Sequence, residues 1–276
     1  MKIAAFYENI LEGAQKSGMT DREALITLYE RGMQAIYISY DSLRSDKERH
    51  LSLFREIGLV VEGLHGFFDL GADPESDGCL DMIRLAKEAG ASNVLIVPGM
   101  IKSEDENQRE QKLRNMQEAL SKAVVYGEQE GITVSVEDFD GLDSPYNSVE
   151  GLKWFLDHVP GLMCTFDTGN FIMFHEDEVA AFHLFRDRIC ALHIKDRSAT
   201  LISDADRPKQ CADGSFVYPV PVGSGYIKIR EILACLVQDG YLGNVIAEIY
   251  DYDDMLNGVI QSVSWLNSTL QELGGA

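Results

Sequence analysis

The stretch VSVEDF, residues 134–139, alternates β-branched and small side chains before it reaches two acids, Glu137 and Asp138. Such alternation over a short run reads as a strand. A carboxylate at the end of an apolar strand is costly to bury, so Glu137 needs a partner or a task. The arrangement recurs three times downstream: CTFDTGN puts Asp167 at the end of an apolar run, ICALHIKD puts His193 there, and NVIAEIY puts Glu248 there. Three carboxylates and one imidazole then close four successive runs and together form an oxygen-rich set of metal ligands.

Each of these runs leads into an amphipathic stretch. Ile132 to Glu137 precedes a helix from Ser148 with Leu152, Phe155 and Leu156, and Met163 to Asp167 precedes one from Asp177 with Val179, Phe182 and Phe185. Ile189 to Ile194 leads through a long connection to a helix at Ile229, Ile232 and Leu233, and Asn244 to Ile249 leads to a last helix with Val263, Leu266 and Leu270. Towards the N-terminus the same unit repeats. Asn93 to Val97 precedes a helix through Leu113, Met116, Leu120 and Val124, and Leu59 to His65 precedes a helix from about Gly78 to Gly90. Ala35 to Ser39 precedes a helix opened by the capping box Ser45-Asp-Lys-Glu48, and Ile3 to Phe6 precedes one opened by Thr20-Asp-Arg-Glu23.

Eight strands, each followed by a helix, with β-branched content suited to a sheet buried on both faces, predict an α/β protein. The expected architecture is a single (β/α)8 TIM barrel over residues 1–276, a usual size for a fold of about 250 residues, with its active site at the C-terminal face of the strands. A doubly wound open sheet is the runner-up, but YENILEG after Phe6 supplies no G-x-G-x-x-G phosphate turn. The connection from Ser198 to Gly225, with Pro208, Pro219, Pro221 and Gly223, is long enough to cover a site at the barrel mouth.

Composition narrows the partners. A formal net charge of -21 repels nucleic acid, because phosphate-backbone binding draws on clustered Lys and Arg, so no nucleic-acid partner is expected. Five cysteines, odd in number and without CxxC spacing, suggest neither a disulfide framework nor a zinc knuckle. MKIAAFYENILEG has too short an apolar run for a signal peptide, and no later run approaches the roughly 18 apolar residues of a spanning helix. The expectation is a cytoplasmic protein without a membrane partner, with surface enough for a homo-oligomer.

At the catalytic face of such a barrel, Glu137, Asp167, His193 and Glu248 come from strands five to eight and surround one point. A lone strand-end acid is more often a cap or ion-pair partner, and a lone histidine a satisfied core residue. Three carboxylates buried together are another matter, since they call for a cation. Oxygen ligands with one imidazole suit one divalent ion, Mn2+ first, with Mg2+, Co2+ or Zn2+ as alternatives. His65, at the end of the third strand, is a candidate contact for a substrate hydroxyl. Lys195 and Arg197 share the strand parity of His193 and are placed to reach substrate oxygens, or a phosphate.

SVEDF, TFDTGN, LHIKD, PVGSGYIKIREIL and AEIY resemble the xylose isomerase-like barrel superfamily, which includes sugar and sugar-phosphate isomerases and epimerases and the endonuclease IV type of DNA repair enzyme. The resemblance runs in order along nearly the whole chain, is densest from Gly131 to Tyr250, and is specific for the superfamily but not for the substrate. It implies that Glu137 and Glu248 both bind metal and face opposite sides of a substrate carbon, one removing a proton and the other returning it. It makes Asp167 and His193 the remaining ligands. The implied activity is a metal-dependent, ketose 3-epimerase-like isomerase or epimerase of a sugar, sugar phosphate or related polyol. It works through an enediolate and needs no organic cofactor.

The chain also departs from the pattern. Asn170 in DTGN stands where epimerases often have histidine, and an amide hydrogen-bonds substrate without serving as acid or base. His175 falls in the following loop and is not assigned that role. The trinuclear zinc cluster of the repair enzymes needs extra histidines that Val97-Pro98-Gly99-Met100 and Asn170 do not provide. A dehydratase acting on an inositol-derived or keto acid substrate is the alternative enzyme, and a barrel that binds a metabolite without turning it over is the alternative of another class.

Overall fold

The computed structural model describes residues 1–274. Its strands are β1 (Lys2–Phe6), β2 (Met33–Ser39), β3 (Val60–Phe67), β4 (Asn93–Val97), β5 (Thr133–Glu137), β6 (Met163–Asp167), β7 (Ile189–Ile194), β8 (Asp196–Ser198), β9 (Lys209–Gln210), β10 (Phe216–Val220) and β11 (Asn244–Ala247). Eight of them close a parallel barrel in the order β1-β11-β7-β6-β5-β4-β3-β2, while β8, β10 and β9 form a separate three-stranded sheet. The fold is the single (β/α)8 barrel that the alternation of elements predicts. The connection between β7 and the helix before β11 carries the small antiparallel sheet.

Among the described residues ten α-helices accompany the strands: α1 (Tyr7–Ser17), α2 (Asp21–Glu30), α3 (Tyr40–Ser45), α4 (Lys47–Ile57), α5 (Gly78–Ala89), α6 (Arg109–Glu130), α7 (Val149–His158), α8 (Glu178–Phe185), α9 (Ile229–Gln238) and α10 (Met255–Leu273). The Thr20–Glu23 capping box is formed on both sides, with the Thr20 side chain accepting from the Glu23 amide and the Glu23 carboxylate accepting from the Thr20 amide. The second expected box does not form. Asp46, not Ser45, caps α4 through the Arg49 amide, and the backbone turns sharply there between α3 and α4.

Helix α1 is absent from the sequence reading. It follows β1 directly, with Phe6 as an N-cap that makes no side-chain bond. Its buried Tyr7, Ile10 and Ala14 lie at the three- and four-residue spacing of a helix face. A Cβ on Gly13 would sit 2.4 Å from the Leu256 amide nitrogen, so glycine there lets α1 press directly against the start of α10.

Register sets the height of each strand end. Asp167 stands opposite His193 across β6 and β7, and Ala247 stands opposite Ile194 across β11 and β7, so Glu248 lies just above them. Glu137 is the last residue of β5 and pairs with Thr165, two residues before Asp167. All four side chains therefore emerge at the C-terminal end of the barrel. Beneath them the His193 ring meets the edges of Phe6 and Tyr37 at centroid separations of 4.9 and 5.0 Å.

Candidate active site

Glu137, Asp167, His193 and Glu248 each present one ligand atom, all within 4.8 Å of one another, and all four residues are buried. His193 Nδ1 lies 3.0 Å from Glu137 Oε2 and 2.8 Å from Glu248 Oε2. One ring N–H cannot serve two carboxylates. It is directed at Glu137, and Glu248 Oε2, though close, has no hydrogen-bond partner among the described residues. Asp167 Oδ2 is also without a hydrogen bond, although the Lys195 ammonium lies 2.9 Å away. That ammonium is 2.5 Å from Glu248 Oε1 and donates to Asn170 Oδ1 at 2.9 Å.

This geometry passes the test for a divalent ion. Ligands about 2.0–2.2 Å from one cation lie roughly 3–4.4 Å from each other, and these four ligand atoms, all within 4.8 Å of one another, need only small shifts to surround one. Buried carboxylate oxygens without partners in a low-dielectric interior are the atoms a cation satisfies. The residues that fit are Glu137, Asp167, His193 through Nδ1, and Glu248.

The charges are tightly coupled. Burial disfavours an ionised His193, but Glu248 and Glu137 outweigh it and lift the ring to about 10. Asp167 is raised to about 7, first by burial, with Lys195 opposing and Glu248 and Glu137 adding to the rise. Burial also works to raise Glu248, yet Lys195 and His193 hold it well below the usual carboxylate range. Lys195 is pushed up despite burial by Asp167 and Glu248. Lys195→Met is expected to destabilise the metal-free protein by about 3–5 kcal/mol, the cost of leaving buried charge without its partner. Saturating Mn2+ should recover part of that loss, as chemical denaturation with and without the ion would measure. An equal loss in both conditions would leave Lys195 a packing role only.

Above the four residues opens a cavity of about 260 Å³. Glu137, His193, Lys195 and Glu248 line its depth. His65 forms part of the wall, stacked on Tyr37 at 5.6 Å with its Nε2 3.5 Å from Glu8 Oε2. Burial works to raise the Glu8 carboxyl, but His65, Ser42 and the Ser39 amide hold it at about 2. Phe6, Phe67, Leu95, Val97 and Phe139 make another wall apolar, and Lys209, Asp140, Tyr250 and Asp251 complete the lining.

Asn170 and Arg197 do not line this cavity. Asn170 is buried, with Nδ2 donating to the Asp138 carbonyl at 2.6 Å and Oδ1 accepting from Lys195. Arg197 is buried too, and its Nη2 donates to Asp140 Oδ2 at 2.9 Å. His175 sits on an exposed turn 3.0 Å from Asp213, away from the four residues. Sequence reasoning missed Asp138, which is fully buried behind Asp167 and accepts from the Asp167 amide at 3.0 Å. Burial and the neighbouring Asp167 push the Asp138 carboxyl well above its ordinary value. Also missed was Asp140, on which Arg197 and Lys209 converge. Both follow directly from VSVEDFD, where a run of three acids in four residues is more than a solvated loop requires.

A closed parallel barrel with three carboxylates and an imidazole converging beneath a C-terminal cavity is a TIM barrel carrying a buried cluster that could hold a metal ion. The family model described as xylose isomerase-like TIM barrel matches residues 27–269, and the chain belongs to that family. No curated protein matches the chain. Among solved structures, a D-tagatose 3-epimerase-like protein superposes with a TM-score of 0.74 at 18% identity, covering 99% of this chain and 98% of that one. The probable 3-DHS dehydratase AsbF from Bacillus anthracis gives 0.73 at 16% identity, covering 97% and 99%. The IOLI protein with a bound zinc atom gives 0.73 at 15% identity, covering 99% and 98%. At these identities the likeness concerns the fold. No helix among the described residues is long and apolar enough to cross a membrane.

Proposed function

We propose that the chain isomerises or epimerises a sugar, sugar phosphate or related polyol by removing and returning the proton on the carbon beside a carbonyl. The observation that carries this reading is the pair Glu137 and Glu248. Two carboxylates, one at the end of β5 and one just after β11, both approach His193 Nδ1 and open on one small cavity. Such a pair is placed to act from two sides of a substrate carbon, one glutamate as base and the other as acid. A divalent ion, Mn2+ foremost with Mg2+, Co2+ or Zn2+ as alternatives, would polarise the carbonyl and make the adjacent proton more acidic. Lys195 favours the charged forms of Asp167 and Glu248, and His65 offers a hydrogen bond to a substrate hydroxyl from the wall. No organic cofactor is required for proton transfer. Five free cysteines suit a reducing compartment such as the cytoplasm.

Elimination is the second reading, favoured by the fold likeness to a probable dehydratase and by the same proton-removing groups. One experiment separates the two. Metal-loaded protein is incubated in D2O with free ketoses, sugar phosphates, keto-inositols and keto acids, and the products are followed by NMR. Deuterium in an isomerised or epimerised product supports the proposal, and loss of water from the product supports elimination. Absence of exchange with every compound, despite bound metal, would sink both and leave a barrel that only binds its metabolite.

A further inference from the structure

We infer that the cavity takes an electrically neutral, unphosphorylated ketose or keto-polyol whose carbon face packs on Phe67 and Phe139, because the nearby amide cradle is filled by one of the protein's own carboxylates and the neighbouring cations already face others. The inference rests on the proposed function and narrows its substrate.

In TIM barrels a phosphate is commonly held by loops after the seventh and eighth strands, on backbone amides near a helix N-terminus. Residues 222–227, VGSGYI, run into α9 in that position and have the glycines an amide cradle needs. An anion from the chain itself fills it. Asp196 Oδ2 accepts from the amides of Gly223 and Gly225, each at 2.9 Å, and Oδ1 accepts from Arg197 at 2.8 Å and Ile227 at 3.3 Å. Asp196 is buried, and a Cβ on Gly225 would lie 2.2 Å from its Oδ1, so the turn is built tightly around this carboxylate. The next amide, that of Lys228, donates to Glu178 Oε1 at 2.8 Å.

The side-chain cations are engaged in the same way. Lys209 on the cavity lining bonds Asp140 Oδ1 at 2.6 Å, Arg197 bonds Asp140 Oδ2, and Lys195 faces Asp167 and Glu248. A phosphate dianion needs several charge-assisted donors. Those at hand already face carboxylates of the protein, and Asp251 on the lining adds a further negative charge. The apolar part of the lining points to what does bind. Phe67 is 62% exposed at the cavity and meets Phe139 edge to face at 5.8 Å, an arrangement that leaves ring surface for the C–H face of a sugar-sized carbon skeleton. The cavity, at about 260 Å³, lies below the roughly 300–1,000 Å³ of most ligand pockets and suits a single small molecule.

Calorimetry on the Mn2+-loaded protein with hexitols, which resemble ketoses but have no proton to exchange, tests this. D-glucitol, D-mannitol and galactitol are each compared with their 6-phosphates. The expected result is that at least one free hexitol binds about tenfold or more tighter than its phosphate, and that no phosphate is preferred. Phe67→Ala, at a position too exposed to threaten folding, should weaken that hexitol about tenfold while the Mn2+ affinity stays as in the parent. A preferred hexitol phosphate, no binding by any free hexitol, or a Phe67→Ala protein with parental hexitol affinity would each overturn the inference. Hexitol binding without deuterium exchange on any ketose would uphold the neutral site while removing the proposed reaction. Exchange confined to sugar phosphates would do the reverse.

Discussion

Glu137→Gln is expected to slow deuterium exchange by about 10²–10⁴-fold on the epimer whose proton Glu137 removes, the usual worth of a positioned general acid or base. The carboxamide matches the carboxylate in size and keeps one oxygen directed at the metal position, so the protein should still fold and load metal. What it loses is the group that accepts a proton. Glu248→Gln should cost a similar factor, with an additional effect because Lys195 and His193 both lean on that carboxylate. The two variants differ in a way that tests the two-sided arrangement. If one glutamate serves each face, each variant retains exchange, without epimerisation, on the epimer whose proton the surviving glutamate removes. Start from either epimer, and the proton lost to solvent identifies the working residue. Two variants that lose exchange on the same epimer, and on no other, would rule out the two-base pairing. Unchanged exchange in both would rule out the glutamates altogether.

Asp167→Ala and His193→Ala should each reduce divalent-metal affinity by more than the 10–100-fold that typically follows loss of a residue merely supporting a ligand. The parent protein should show the complementary pH dependence. His193 is lifted from 6.5 to about 10 in the metal-free arrangement, so the stability it contributes is full below about 6.5 and fades as pH rises through about 10. Asp167 is raised from 3.8 to about 7, so its buried charge costs stability progressively as pH climbs between those values. Both protons compete with a cation, and both leave when one binds. Metal loading should therefore release protons near neutrality, and apparent affinity should rise with pH. Calorimetry in buffers of different ionisation enthalpy measures the release. Thermal unfolding adds a second measure, since an ion at 100 times its Kd stabilises by about 2.7 kcal/mol. A gain in melting temperature of the same size at pH 5 and pH 8 would contradict this account.

The fold was largely legible because the barrel strands are buried on both faces. In β4, β6 and β7 the apolar run and the strand coincide from Asn93, Met163 and Ile189 onward, since nearly every side chain must avoid water. Helix α1 escaped because nothing punctuates its start: Phe6 ends a strand and opens a helix without a capping side chain. The convergence of Glu137, Asp167, His193 and Glu248 was legible for a related reason, as strand ends in a parallel barrel share one rim. The partners of the surrounding charges were not. Parity along β7 placed Lys195 and Arg197 on the side of His193, yet the first turns into the acidic cluster and the second into Asp140. Asp196 finds three of its donors in amides 27 to 31 residues downstream, a relation that no local period encodes.

The close approach of Gly13 to Leu256 sets a constraint on the order in which this molecule can be completed. Helix α1 packs on α10, and β1 finds one of its two neighbours in β11, so the first and last segments need each other. At a synthesis rate of roughly 5–20 residues per second, α1 waits roughly 10–50 s for its seat to leave the ribosome. Throughout that interval one edge of β1 has no strand to pair with, and such edges are where chains adhere to one another. The newborn chain is therefore most exposed to aggregation at β1, and a chaperone would have its greatest effect there, before β11 and α10 are made.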